Sequence, residues 1–161
     1  MSLNTLEDIA AFIVSDGKGI LAADESNPTC GKRFDSIGVE STESNRRDYR
    51  EMLFRSSGMR DNIGGVILFD ETIRQDAKDG TSLVKVICDQ GALPGIKVDQ
   101  GLKPLDGSPE ETLTQGLEGL NGRCAEYFQL GAKFTKWRAV IKIDGNLPSS
   151  ECIESLSLIH I

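Results

Sequence analysis

Short unbroken apolar runs alternate along this chain with segments of helical periodicity. Leu6, Ile9, Ala10 and Ile13 fall on one face of a helix over 5–15, with Asn4 in capping position and Glu7 completing an N-x-x-E box. Asp16-Gly17 ends it. The next run, Ile20 to Ala23 within KGILAADES (18–26), is short and does not alternate, which predicts a parallel strand buried on both faces. It closes on Asp24-Glu25-Ser26. Residues 27–38 read as loop and short helix, carrying Lys32 and Arg33. Residues 42–57 predict a polar helix with Tyr49, Met52 and Leu53 inward and Arg46 and Arg47 on its surface. A second unalternating strand, 64–69, ends at Asp70. A helix over 81–90 is capped by Thr81 or Ser82, gathers Leu83, Val84, Ile87 and Cys88 on one side, and stops at Gly91. The third strand, 95–99, puts Lys97 and Asp99 on one face. Residues 100–108 read as a loop, and Ser108-Pro109-Glu110-Glu111 has the form of a helix start. That helix is expected to run to about Leu130, weakened early by Gly116, Gly119 and Gly122.

The last apolar segment, GAKFTKWRAVIKI (131–143), predicts a strand over 133–143. Lys136 and Arg138 are two apart and so share a face, with Trp137 on the other. Two cations in an apolar strand are costly unless they meet carboxylates or an anion. They also suit the solvent face of an antiparallel edge strand continued by Lys142. Four apolar strands alternating with helices give the spacing of a parallel α/β sheet. The strands end in polar groups: Asp24, Asp70, Lys97 with Asp99, and Lys136 with Arg138. Active sites of TIM barrels and of open doubly wound sheets both gather at such ends. The Gly-rich first turn common in the open sheets is replaced here by DESN.

Charge and composition narrow the chemistry. A net charge of −7 argues against a nucleic-acid-binding face but not against a few cations concentrated in one pocket. No apolar run is long enough to span a membrane, and the N-terminus carries acidic residues where a signal peptide needs basic ones. Cys30, Cys88, Cys124 and Cys152 have no CxxC spacing and read as free thiols in a reducing compartment. The only histidine is His160, so acid–base chemistry within this chain falls to Lys, Asp, Glu, Tyr or Cys.

In this order, GKGILAADES, ESTESNRRDYREML, GVILFDET, GIKVDQG, QGLEGL and FTKWR resemble the N-terminal half of the class I fructose-bisphosphate aldolases. The resemblance covers about residues 5–155. GVILF alone is generic, whereas GILAADES, GIKVD and KWR together are specific. It implies a (β/α)8 TIM barrel represented by its N-terminal half, about four strand–helix units. It also implies a lyase that forms a Schiff base between a lysine and a ketose phosphate, without metal or other cofactor. The expected reaction is reversible cleavage of fructose 1,6-bisphosphate to dihydroxyacetone phosphate and glyceraldehyde 3-phosphate in glycolysis and gluconeogenesis. Asp24 resembles the family's first-strand aspartate that assists proton transfer and carbon–carbon cleavage. Lys136 resembles the lysine that helps carbinolamine formation and dehydration. Lys97 and Arg138 resemble residues that hold the substrate and its distal phosphate, and Ser26, Thr29, Lys32 and Arg33 fall in the loop that contacts phosphate and hydroxyls. A doubly anionic sugar phosphate needs such cations.

Each residue also has a plainer role open to it. Asp24 suits a turn after its strand, Lys97 a rim ion pair, and Lys32 and Arg33 solvated surface. The chain departs from the family at Asn27-Pro28, Thr29, Gln100 and Thr135, in and around the phosphate loop and strand ends. A TIM barrel usually needs about 250 residues. Residues 1–156 are therefore expected to be the N-terminal part of a barrel in a truncated chain, and 157–161 a tail foreign to it. The family's Schiff-base lysine and glutamate pair would lie outside these residues, leaving the chain itself inactive. The expected partner is a sugar phosphate, with no nucleic acid or membrane. A homotetramer is expected only of the full-length protein, in the cytoplasm or a plastid. Two rivals stand beside this: a non-catalytic half-barrel with a partial phosphate site, and another phosphate-binding barrel such as an isomerase.

Overall fold

The computed structural model describes Leu3 and residues 5–160. The chain divides into two compact units. One runs up to Lys97 and takes in Glu126–Thr135; the other holds Val98–Ala125 and the chain from Lys136 on.

The first unit opens with α1 (Leu6–Ile13). Asn4 lies outside the described residues; the cap is Thr5, whose hydroxyl accepts from the Asp8 amide while the Asp8 carboxylate accepts from the Thr5 amide. Of the expected apolar face only Ile13 is buried, and Leu6 is 79 % exposed. Then come β1 (Gly19–Ala23), α2 (Asn27–Asp35), α3 (Glu43–Phe54), α4 (Met59–Asn62), β2 (Ile63–Leu68), α5 (Asp70–Ile73), α6 (Leu83–Asp89) and β3 (Leu93–Lys97). After a hairpin and α7 (Leu120–Gln129) comes β6 (Phe134–Lys136). The sheet order is β1-β2-β3-β6, with β1, β2 and β3 parallel. Ala23 pairs with Leu68 and Leu68 with Ile96, so Asp24 and Lys97 each stand one step beyond the same buried row.

Glycine sets the close packing of this sheet. A Cβ on Gly64 would lie 2.1 Å from the Ile13 carbonyl oxygen, and one on Gly95 would lie 2.3 Å from the Phe134 ring. The end of α1 and the ring of Phe134 fill the space those side chains would need.

Several expectations fail here. β1 is the edge strand rather than one buried on both faces, and Ile20 is 47 % exposed. On α3, Met52 is exposed while Arg50 and Phe54 are buried, because Arg50 makes its hydrogen bonds inside. Arg46 is not plain surface: it makes a forked ion pair with Glu71. Arg47 is half-buried and pairs with its neighbour Asp48. On α6, capped by Ser82, Leu83, Val86 and Ile87 are buried and Cys88 is exposed.

The second unit departs furthest from the expected elements. Residues 100–114 are not loop and helix start. They form a hairpin of β4 (Leu102–Leu105) and β5 (Ser108–Thr114), paired antiparallel. Asp106-Gly107 makes the turn, with Gly107 at φ 81°, and Asp-Gly between strands is itself a hairpin signal. The helix is confined to α7. The long strand expected over 133–143 is only β6, and the third strand ends at Lys97, so Asp99 lies outside it. Beyond Lys136 the main chain is held by side chains instead of a neighbouring strand. The Arg138 amide donates to Asp99 Oδ1 at 3.2 Å, and the Arg138 carbonyl accepts from the Thr114 hydroxyl at 2.8 Å. The unit ends with α8 (Ser150–Ser157) and a short 3-10 turn. The buried Glu111 carboxylate accepts from the Ser149 amide at the start of α8.

Candidate active site

Three of the expected residues stand at or just past the C-terminal ends of strands. Asp24 follows β1, Lys97 ends β3 and Lys136 ends β6. All three are half-buried.

Past Asp24 the chain turns into α2. Ser26 is its N-cap residue, Pro28 sits in its first turn, and the Ser26 and Thr29 hydroxyls meet at 3.1 Å. Lys32 and Arg33 lie in the last turn of α2, both exposed. Arg33 pairs with the Glu25 carboxylate, which holds the guanidinium above its usual pKa despite partial desolvation. It also donates to the Tyr49 hydroxyl at 3.1 Å.

Glu25, Tyr49 and Arg50, none of them among the expected site residues, surround the main chain at Asp24. The Arg50 guanidinium is 2 % exposed and donates to the carbonyls of Ala23 (3.1 Å) and Glu25 (2.7 Å). Glu25 Oε2 lies 3.1 Å from Arg50 Nη2, close enough to pair but without hydrogen-bond geometry. The Tyr49 hydroxyl donates to Glu25 Oε1 at 3.3 Å. A helical arginine reads as solvated surface, and the one signal available was its i, i+4 spacing to the buried Phe54. Asp70, the first residue of α5, accepts from the Tyr127 hydroxyl at 2.9 Å and pairs with Arg74, which also pairs with Glu126.

In the second unit, Lys136 and Arg138 are not neighbours on one strand face, because β6 stops at Lys136. The Lys136 carbonyl accepts from the Val98 amide at 3.1 Å, and Arg138 is exposed. Arg123 donates to the carbonyls of Val98 (2.9 Å) and Gly116, tying α7 to the segment after β3. Among the described residues no three His, Cys, Asp or Glu side chains gather as metal ligands, and the four cysteines are free thiols.

The Ser26–Thr29 hydroxyl pair lies at the start of α2, just past β1, and Arg33 further along α2 is already paired with Glu25. Comparison with known proteins bears on what these residues serve. The family model for glycolytic class I fructose-bisphosphate aldolase matches residues 5–158. A probable class 1 fructose-bisphosphate aldolase of Xanthomonas campestris is 53 % identical over 155 residues, which are 96 % of this chain and 46 % of the relative. The fructose-bisphosphate aldolase of Drosophila melanogaster is 54 % identical over 149 residues, 92 % of this chain and 41 % of the relative. Among solved structures, fructose-bisphosphate aldolase of Plasmodium falciparum, crystallised with TRAP and a small-molecule inhibitor, matches with a TM-score of 0.88 and 46 % identity. That match covers 91 % of this chain and 43 % of the other. The chain thus spans less than half the length of the relatives it matches. The parallel α/β arrangement is that of part of an aldolase barrel. With that family model matched from residue 5 to residue 158, the chain belongs to the class I fructose-bisphosphate aldolases.

Proposed function

We propose that these residues supply the first part of the active site of a Schiff-base aldolase that cleaves fructose 1,6-bisphosphate reversibly into two triose phosphates. Asp24 takes part in proton transfer and carbon–carbon cleavage. Lys136 assists carbinolamine formation and dehydration as a positioned acid–base group. Lys97, Arg138, Lys32 and Arg33 carry positive charge to the phosphates, and the Ser26 and Thr29 hydroxyls meet phosphate or substrate hydroxyls. In this reading the lysine that forms the Schiff base, and its glutamate partners, come from another part of the family's chain. A homotetramer is proposed for the full-length protein alone, and the site of action is proposed to be the cytoplasm or a plastid.

The observation that carries this reading is the family match over residues 5–158, with charged side chains standing at or just past the ends of β1, β3 and β6. The test is a coupled assay on a full-length aldolase carrying these residues. Cleavage of fructose 1,6-bisphosphate is expected to proceed unchanged in the presence of a chelator. Loss of cleavage on chelation, restored by zinc, would overturn the Schiff-base assignment.

A further inference from the structure

We propose that Arg50 is the positioning residue for Asp24: its guanidinium holds the main-chain carbonyls on both sides of that aspartate. The inference rests on the aldolase reading of Asp24.

Arg50 sits on α3 and is only 2 % exposed, although an arginine on a helix ordinarily reaches into solvent. Nε donates to the Ala23 carbonyl and Nη2 to the Glu25 carbonyl. One planar fork therefore spans the residues immediately before and after Asp24. A lysine has a point charge and no such fork, so it cannot hold two separated acceptors at a fixed angle. Burying a cation is expensive, and a hydrocarbon side chain would pack the same space at less cost. What the guanidinium adds is direction: one rigid group fixes the carbonyl of Ala23, the last residue of β1, and that of Glu25, so the chain on either side of Asp24 is held at a set angle.

Glu25 extends the arrangement. Its carboxylate lies against Arg50 on one side and against Arg33 and Tyr49 on the other. The main-chain fork governs Asp24, whereas the Glu25 carboxylate governs Arg33. The two halves of the cluster should therefore separate kinetically.

In a full-length aldolase carrying these residues, Arg50→Lys is expected to lower kcat for fructose 1,6-bisphosphate cleavage about 10- to 100-fold, because a small misplacement of a reacting group has effects of that size. KM should change little. In an Asp24→Asn background the same substitution should cost no further kcat, since groups acting as a unit are not additive. Equal losses in both backgrounds would overturn the proposal and leave Arg50 as a residue that merely holds the fold. If Arg50→Lys does not fold, Glu25→Gln decides: it leaves the fork on the carbonyls, so KM should rise while kcat holds. A fall in kcat with KM unchanged would overturn the assignment. If the parent enzyme cleaves no fructose 1,6-bisphosphate, the aldolase reading fails by itself. Amide exchange at Asp24–Ser26 then tests the fork directly. Faster exchange in Arg50→Lys supports the positioning, and unchanged protection overturns it.

Discussion

Lys136 and Lys142 are six residues apart in a stretch whose apolar pattern treats them alike, and the structure separates them. Lys136 is the last residue of β6, with its carbonyl tied to the Val98 amide. Lys142 lies beyond the strand and pairs with the exposed carboxylate of Glu110. In a full-length aldolase, Lys136→Ala should lower kcat by about 100-fold, the usual cost of removing a positioned acid–base group. Lys142→Ala removes a surface ion pair worth about 0–1 kcal/mol and should leave kcat unchanged. Steady-state kinetics of the two variants checks this, and equal effects would show the catalytic end of β6 to be misplaced. Asp24 was legible because it follows a short apolar run, whereas Lys97 and Lys136 were expected inside longer strands, 95–99 and 133–143, and instead end theirs. The supporting residues were not. Arg50 and Met52 are two apart on α3, and the charged residue is buried while the apolar one is 61 % exposed. Residue polarity predicts burial only when no specific acceptor is waiting inside, and the carbonyls of Ala23 and Glu25 are such acceptors.

At the scale of elements, the parallel strands came through because their patterning is strong, whereas the hairpin was lost to a competing local signal. Ser108-Pro109-Glu110-Glu111 has the composition of a helix start, yet it lies in β5, where Ser108 pairs with Leu105 across the Asp106-Gly107 turn and the pairing resumes at Thr112. The β-branched Thr112 and Thr114 favour the strand, and Glu111 is turned inward to bind the Ser149 amide. That bond holds the Glu111 carboxyl below its usual pKa, against the opposing effect of desolvation. The sign follows from the direction of the shift. The contribution of Glu111 is present above the unfolded value near 4.5 and is lost as pH falls through the lower folded value. Protection of the α8 amides should therefore fall in acid, and Glu111→Gln should flatten that acid limb; an unaltered pH profile in the variant would count against the latch. Sheet packing gives a second test. Gly64→Ala would drive a methyl into the Ile13 carbonyl and should destabilise by about 3 kcal/mol, the upper range for overpacking. Gly19→Ala meets nothing within 4 Å and should be neutral to slightly stabilising. Thermal melting of the two variants in the full-length protein should therefore differ, and equal midpoints would contradict the close packing of β2 on α1.

For the molecule as a whole, the open question is how the 161-residue chain behaves alone. No described helix is long and apolar enough to cross a membrane. β1 is a sheet edge made of Gly, Ile, Leu and Ala, with Ile20 47 % exposed and no proline or charge within the strand to block pairing. Elsewhere Phe128, Ile141 and Ile143 are also well exposed. Opposing association is a net charge of −7. At physiological salt the Debye length is only about 8 Å, so that repulsion is screened over most of the surface while edge pairing and apolar contact are not. The isolated chain should therefore associate, and more strongly as salt is raised, which sedimentation velocity at two ionic strengths would show; a stable monomer at both would refute it. Its chemistry should fail separately. Schiff-base formation needs a nucleophilic lysine beside a proton donor. Lys136, which ends β6, is the candidate to substitute, and the resemblance assigns the glutamate relay it would need to other parts of the family's chain. Incubating the chain with dihydroxyacetone phosphate and borohydride should leave its mass unchanged. A stoichiometric adduct mapped to Lys136, together with cleavage of fructose 1,6-bisphosphate, would mean that these strands hold a working site without the rest of the barrel.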